Sequence, residues 1–172
     1  MSLIYHKCNP KHLDILVKIS KETFIDAFEK DNNPDDFKTY IDNALSKNQL
    51  EKELLNPNCL FYLAYEAQEL VGYFKLNVGE AQNETFETSS IELERIYVTS
   101  QHQNRGLGKH LLNQIISIVK TKAVSFLWLG VWEENKAAIK FYERHGFKKF
   151  SSHPYYIGKD KQTDWLMRLK II

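Results

Sequence analysis

Two glutamates, an irregular strand and a glycine turn lie close together between Ile91 and Leu112, in the sequence IELERIYVTSQHQNRGLGKHLL. Apolar side chains stand at Ile91 and Leu93 and then at Ile96 and Val98, so the inside/outside alternation slips by one residue around Glu94-Arg95. Such a slip predicts a β-bulge. A bulge leaves backbone N–H groups unpaired with the neighbouring strand, and the amides of Ile96 and Val98 then become donors for a carbonyl oxygen or an oxyanion. Glu92 and Glu94 share the face opposite Ile91 and Leu93, where a carboxylate can take a proton through water and attract a cation. Next, Gln103-Asn104-Arg105-Gly106-Leu107-Gly108-Lys109 opens a helix. Its amides and the positive end of the helix dipole suit a phosphate.

Two common phosphate motifs fail on this turn. A dinucleotide fingerprint, G-x-G-x-x-G, would need its third glycine at Leu111. The loop of nucleotide hydrolases, G-x-x-x-x-G-K-[ST], would need glycine at Gln103 and Ser or Thr at His110. What remains, Q-x-x-G-x-G after a bulged strand, resembles the pyrophosphate-binding motif of the GCN5-related N-acetyltransferases (the GNAT superfamily). A second stretch, Trp128-Leu-Gly-Val-Trp-Glu-Glu-Asn-Lys-Ala-Ala-Ile-Lys-Phe-Tyr-Glu-Arg-His-Gly-Phe147, resembles the second acetyl-CoA signature of that family, in the matching order. Glu22-Thr-Phe, Gln49-Leu-Glu-Lys-Glu-Leu54, Glu94-Arg-Ile-Tyr97, Gly106-Leu-Gly-Lys-His-Leu-Leu112, Trp128-Leu-Gly-Val-Trp-Glu133 and Gln162-Thr-Asp164 extend the likeness end to end and are similar to PaiA-type spermidine/spermine N-acetyltransferases.

The resemblance implies acetyl transfer from acetyl-CoA to a primary amine by direct attack in a ternary complex, with a polyamine as acceptor and no metal. It implies a V-shaped opening between Glu92–Val98 and Val124–Val131 that holds the pantetheine. Ile96, Tyr97 and Val98 are then cofactor contacts, as are Gln103 to Lys109, Asn135, Ala138 and Tyr142. Tyr142 is the acid for the departing thiolate, and Arg105 the strongest charge in the turn. The amine, with a free pKa near 10, must lose a proton, and Glu94, closer to the bulge, stands ahead of Glu92 as its acceptor. The acidic loop carrying Glu80, Glu84 and Glu87 is expected to hold distal ammonium groups, and the pH optimum to be alkaline.

The elements around these residues are readable from periodicity and punctuation. Leu3 to Lys7 reads as a strand, and Asn9-Pro10 starts a helix to about Phe28. Pro34 to about Leu45 reads as a second helix, and Ser46-Lys-Asn-Gln49 as a capping box opening a third that ends at Leu55. Cys59–Glu66 and Leu70–Val78 form a hairpin, Ala123–Val131 a strand covered on both faces, and Asn135–His145 a helix. Phe147–Ser152 and Asp164–Leu169 close the chain as strands. The fold class is α/β (α+β): a mixed, mostly antiparallel sheet of six or seven strands, splayed between strands 4 and 5, with helices on both faces.

At 172 residues, 43% hydrophobic and 26% charged, the chain fits one domain, 1–172, with an adequate core. Its longest apolar run, Ala123 to Trp132, falls far short of the roughly 20 residues that span a bilayer. MSLIYHKCNP lacks the apolar core of a signal peptide, so the cytoplasm is the expected compartment. Cys8 and Cys59 lack metal-ligand spacing and read as buried, reduced thiols, while His102 and His110 read as surface residues. Residues 1–94 hold 9 Lys/Arg against 17 Asp/Glu, and residues 95–172 hold 14 against 5, so the net charge of +1 hides a split at the bulge. That split suits an anionic cofactor on one side and a cationic substrate on the other. No helix-turn-helix or basic helix face points to nucleic acid, and the chain is expected to be a monomer or homodimer. Two alternatives stay open: another amine acceptor (a protein N-terminus, a lysine, an aminoglycoside), or a CoA-binding regulator without chemistry.

Overall fold

The computed structural model describes residues 2–172. In chain order the elements are β1 (Leu3–Lys7), α1 (Leu13–Phe28), α2 (Pro34–Ala44), α3 (Lys47–Leu55), β2 (Cys59–Glu66), β3 (Glu69–Val78), β4 (Ser90–Val98), α4 (Leu107–Lys120), β5 (Phe126–Trp132), α5 (Lys136–Arg144), β6 (Lys148–Ile157) and β7 (Asp160–Lys170). The strands form one seven-stranded sheet in the order β1-β2-β3-β4-β5-β7-β6. Every neighbouring pair is antiparallel except β4 and β5.

Alternation along the strands sorts the core onto two faces. Leu111, Leu112, Ile115 and Val119 of α4 pack with Leu60, Phe74, Ile91 and Leu129 of the sheet. Leu13, Leu16 and Ile19 of α1 and Leu50 of α3 pack against Phe61, Leu63 and Tyr73 on the other face. Helices therefore cover both sides, and α4 buries the apolar residues that recur at helical spacing along it, Leu107, Leu111, Leu112, Ile115 and Val119.

The slip in β4 is present. Lys75 pairs with Arg95 and the next residue, Leu76, with Leu93, so Glu94 is the extra residue. This insertion returns Ile96 and Val98 to the α4 face that holds Ile91 and Leu93. The splay follows on the other edge of the strand. Parallel pairing with β5 covers only Ser90↔Phe126, Ile91↔Leu127 and Glu92↔Trp128, while β5 stays paired with β7 from Phe126 to Trp132. From Leu93 onward β4 has no partner on its β5 side.

Several boundaries differ from those expected. Pro10–His12 is a short 3-10 turn ahead of α1, and β5 starts at Phe126 because Ala123 takes a left-handed conformation (φ 54°). β6 and β7 are longer than the sequence suggested, running through Ser151-Ser152-His153-Pro154 to a turn at Gly158. A strand containing proline is tolerated there because β6 is the edge of the sheet. The Ser46 hydroxyl accepts the Gln49 N–H at 3.1 Å, but the Gln49 side chain turns to Glu53 instead of completing a capping box. Among the described residues, no helix is long and apolar enough to cross a membrane.

The close approach of β3 to the bulged strand requires a glycine. A Cβ on Gly72 would stand 2.6 Å from the Tyr97 carbonyl oxygen and 3.2 Å from Leu111 Cδ2. Gly72→Ala is therefore expected to lower unfolding stability by about 1–3 kcal/mol, read as a lower denaturant midpoint. An unchanged midpoint would show that β3 and β4 can separate freely at this point.

Candidate active site

The splay opens into a cavity of about 1130 Å³. Of the residues picked out from the sequence, Glu92, Glu94, Ile96, Tyr97, Val98, Gln103, Asn135, Ala138 and Tyr142 line it together. The turn residues Asn104 to Lys109 do not line it. Thr99 N–H donates to Val71 of β3 at 2.9 Å, and alternation along β4 then directs the Tyr97 N–H to β3 as well. The amides of Ile96 and Val98 consequently face the opening left by β5. Tyr97 lines the cavity with its ring stacked on Tyr73 at 5.9 Å, on the helix α1 side of the sheet.

The turn before α4 has the shape for an anion. Asn104 (φ 62°) and Gly106 (φ 76°) are left-handed, and Gly106 caps α4 with no side chain bonded to the first-turn amides. Leu107 is buried in the core, so only its amide can serve a ligand. Arg105 is not free: its Nη2 donates to both carboxylate oxygens of Glu66, at 3.1 and 2.8 Å. Asn135 acts as the helix cap, accepting the Ala138 N–H at 3.2 Å, which occupies the Ala138 amide. Tyr142 packs edge-on against Phe147 and its pKa is raised by burial, so the hydroxyl keeps its proton.

The other wall is charged. Lys75 is buried and paired with both Glu53 and Glu94. Burial alone would raise the Glu94 pKa, but the charges of Lys75 and Arg95 hold it down at about 2. Glu92 shifts the other way. Burial and the Glu94 charge raise it, against partial opposition from hydrogen bonds. Its carboxylate accepts from Asn77 Nδ2 at 3.0 Å, from the Asn83 amide at 2.9 Å and from Asn83 Nδ2 at 3.0 Å. The two carboxylates are thus pushed apart: Lys75 and Arg95 hold Glu94 as an anion, while burial and the Glu94 charge favour the protonated form of Glu92.

Sequence reasoning passed over Lys75, Asn77, Asn83, His153 and Asp164. Lys75 and Asn77 alternate inside the apolar strand Tyr73-Phe-Lys-Leu-Asn-Val78, a period-2 polar signal facing the bulge. His153 Nδ1 bonds Glu84 at 2.7 Å and its Nε2 lies 3.8 Å from Asp164. Glu84 is thus engaged, and of the acidic-loop residues it alone lines the cavity; Glu80 and Glu87 are exposed elsewhere. His102 is buried, contrary to the surface position expected, with Nδ1 bonded to Thr99 at 2.7 Å and Nε2 3.2 Å from Glu69. Cys8 and Cys59 are free thiols; burial pushes Cys8 up to about 12.

A splayed strand pair, two outward-facing amides and an uncapped helix start define a site for an acyl-CoA. Comparison with known proteins agrees. Residues 17–147 match the model of the Acetyltransferase (GNAT) family. Over 162 residues, 94% of each chain, the sequence is 39% identical to an uncharacterized N-acetyltransferase from the pepI 3' region of Lactobacillus delbrueckii subsp. lactis. It is 24% identical over 152 residues, 86% of this chain and 89% of the other, to the spermidine N(1)-acetyltransferase of Thermoplasma acidophilum. The PaiA N-acetyltransferase of Thermoplasma acidophilum in complex with coenzyme A superposes with a TM-score of 0.78 at 24% identity, covering 99% of both chains. The chain belongs to the GNAT family and is an acetyl-CoA-dependent N-acetyltransferase.

The depressed Glu94 pKa has a consequence for stability. A carboxylate whose folded pKa lies below its unfolded value contributes fully above about pH 4.3, and the contribution fades as pH falls toward the folded pKa. Glu94→Gln should therefore be less stable than the parent at pH 7, with the gap closing between about pH 4.3 and pH 2. Melting temperatures across that range decide it; a gap constant with pH would mean Glu94 is not held as an anion.

Proposed function

We propose that the chain acts as one domain that acetylates a primary amine of a cationic small molecule, with polyamines the first acceptors to try. The observation carrying this reading is the pairing, across one splay, of the Ile96 and Val98 amides with the Glu92–Glu94–Lys75 cluster. Acetyl-CoA supplies an activated carbonyl and a thiolate leaving group. The first-turn amides of α4 and Gln103 hold its pyrophosphate, and Arg105 joins them by exchanging Glu66 for phosphate. The Ile96 or Val98 amide stabilises the oxyanion that forms at the carbonyl, a contribution of about 3–4 kcal/mol.

Glu92 takes the proton from the amine. Among the described residues its carboxylate has no cation partner, so accepting a proton breaks no ion pair there, and its raised pKa brings it closer to the amine's. Glu94, fixed as an anion, attracts the incoming ammonium. Tyr142 stands on the thiolate side, where a hydroxyl that keeps its own proton donates a hydrogen bond to the leaving sulfur, and the proton taken from the amine reaches that sulfur through water. A cationic acceptor is supported by the carboxylates of Glu53, Glu84, Glu92, Glu94 and Asp164 along the cavity, and the Thermoplasma relative is by name a spermidine acetyltransferase.

Thiol release from acetyl-CoA with spermidine or spermine tests this. The rate is expected to rise with pH as the acceptor nitrogen loses its proton, near pKa 10. Glu92→Gln should lower kcat about a hundredfold, and Tyr142→Phe about tenfold with little change in KM. Full rates in both variants would remove those two roles; thermal stabilisation by CoA with no turnover on any amine would leave a binding protein.

A further inference from the structure

One charge in the cavity is unexplained by the reading above. Arg95 follows the extra residue of β4 and lies on the same side as Lys75, its partner in register. It lines the cavity yet is only 8% exposed, and its Nη1 is buried without a hydrogen-bond partner. The carboxylates it faces, Glu94 and Glu53, are both engaged by Lys75. The other basic groups of this wall are matched: Lys75 has two carboxylates, and His153 has Glu84 and Asp164. Among the described residues, Arg95 forms no ion pair. Nearby phenols do not replace one. The hydroxyls of Tyr40 and Tyr155 bond to each other, and the Tyr73 hydroxyl is itself buried and unpartnered.

A guanidinium has five donors in a planar fork and no acceptor. Burying it with donors unmade is costly, and the group that matches the fork is a carboxylate, bound through two parallel N–H···O bonds. A polyamine brings only further donors and positive charge, so it leaves Arg95 unsatisfied and repels it. An acceptor bearing a carboxylate satisfies it.

The geometry points to Arg95 as the seat of a carboxylate on the acceptor, so that the favoured substrate is a basic amino acid, its ammonium toward Glu92 and Glu94 and its carboxylate on Arg95. This rests on the acetyl-transfer reading and replaces its polyamine acceptors with basic amino acids. Arg95 then sets specificity and takes no part in proton transfer. The acceptor side of the cavity carries both signs: Glu94 fixes the ammonium, and Arg95 excludes amines that lack the anion.

Matched pairs that differ by one carboxylate test it: ornithine against putrescine, and lysine against cadaverine. For the wild-type protein, kcat/KM in thiol release is expected to favour the amino acid of each pair by about tenfold or more. In Arg95→Gln that ratio should fall to about one. Arg95→Lys, which keeps the charge without the fork, should give an intermediate ratio and guards against a folding defect in the first variant. Diamines used as well as the amino acids, or both members of a pair falling equally in Arg95→Gln, would overturn the assignment and leave the guanidinium a structural group. Calorimetric titration of the same four compounds into CoA-saturated protein separates this from failure of the acetyl-transfer reading. If no amine is turned over, amino-acid binding that is lost in Arg95→Gln still supports the carboxylate seat, and no binding to the wild type overturns it.

Discussion

The one-residue insertion at Glu94 is the constraint from which the rest of the site follows. In a regular strand, Ile96 and Val98 would fall on the face of α1 and α3, and two apolar side chains would leave the α4 core, at about 1.5–3 kcal/mol each when fully misplaced. The extra residue keeps both in that core. The same insertion lets Glu94 and Arg95 share one wall with Lys75, which successive residues of a regular strand cannot do. It also bends β4 away from β5, whose pairing is complete on its other side with β7. A packing requirement and a binding site thus have one cause, and selection on either preserves the other.

Once the strand is bent, the cavity wall has to accommodate buried charge, and it does so by pairing. Lys75 bridges Glu94 and Glu53, offsetting one of their two charges, and so ties α3 to the middle of the sheet. Buried ion pairs seldom add net stability over apolar packing, so a cluster retained here is better explained by what it does for the site. The loop between β3 and β4 completes the wall: Gln82 accepts from Trp128 at 2.8 Å, and Phe86 packs edge-on against Trp128 and Phe126. This holds Asn83 over Glu92. Two carboxylates two residues apart are thereby pushed in opposite directions, one by cations and the other by burial and amides, and a site with separate anchoring and proton-accepting roles needs that separation.

The bulge, the turn and the buried stripe of α4 were legible because each is written in local periodicity or glycine placement. The hairpin of β6 and β7 was underestimated because Ser151-Ser152-His153-Pro154 reads as a loop unless the strand is known to be an edge. Glu92 and Glu94 were picked out, but the opposite directions of their pKa shifts were not. Their proton affinities depend on Lys75 and Asn83, and no pattern near the bulge announces those partners. Glu53 lies 22 residues from Lys75, and Glu84 lies 69 from His153. Arg95 was read as half of a bulge; its lack of a partner is a property of three dimensions alone.

The charge split along the chain takes on a definite meaning in the fold. The acidic first half supplies Glu53, Glu84, Glu92 and Glu94 to the acceptor wall, and the basic second half supplies α4 and the turn before it. Yet a purely anionic acceptor wall would work against catalysis, since each carboxylate that attracts an ammonium also raises its pKa and delays the loss of its proton. Cations placed among those carboxylates moderate this. Lys75 offsets half of the charge of Glu53 and Glu94, and Arg95, the first basic residue past the split, reduces what remains. The wall then offers an ammonium anionic partners without an unopposed cluster of negative charge.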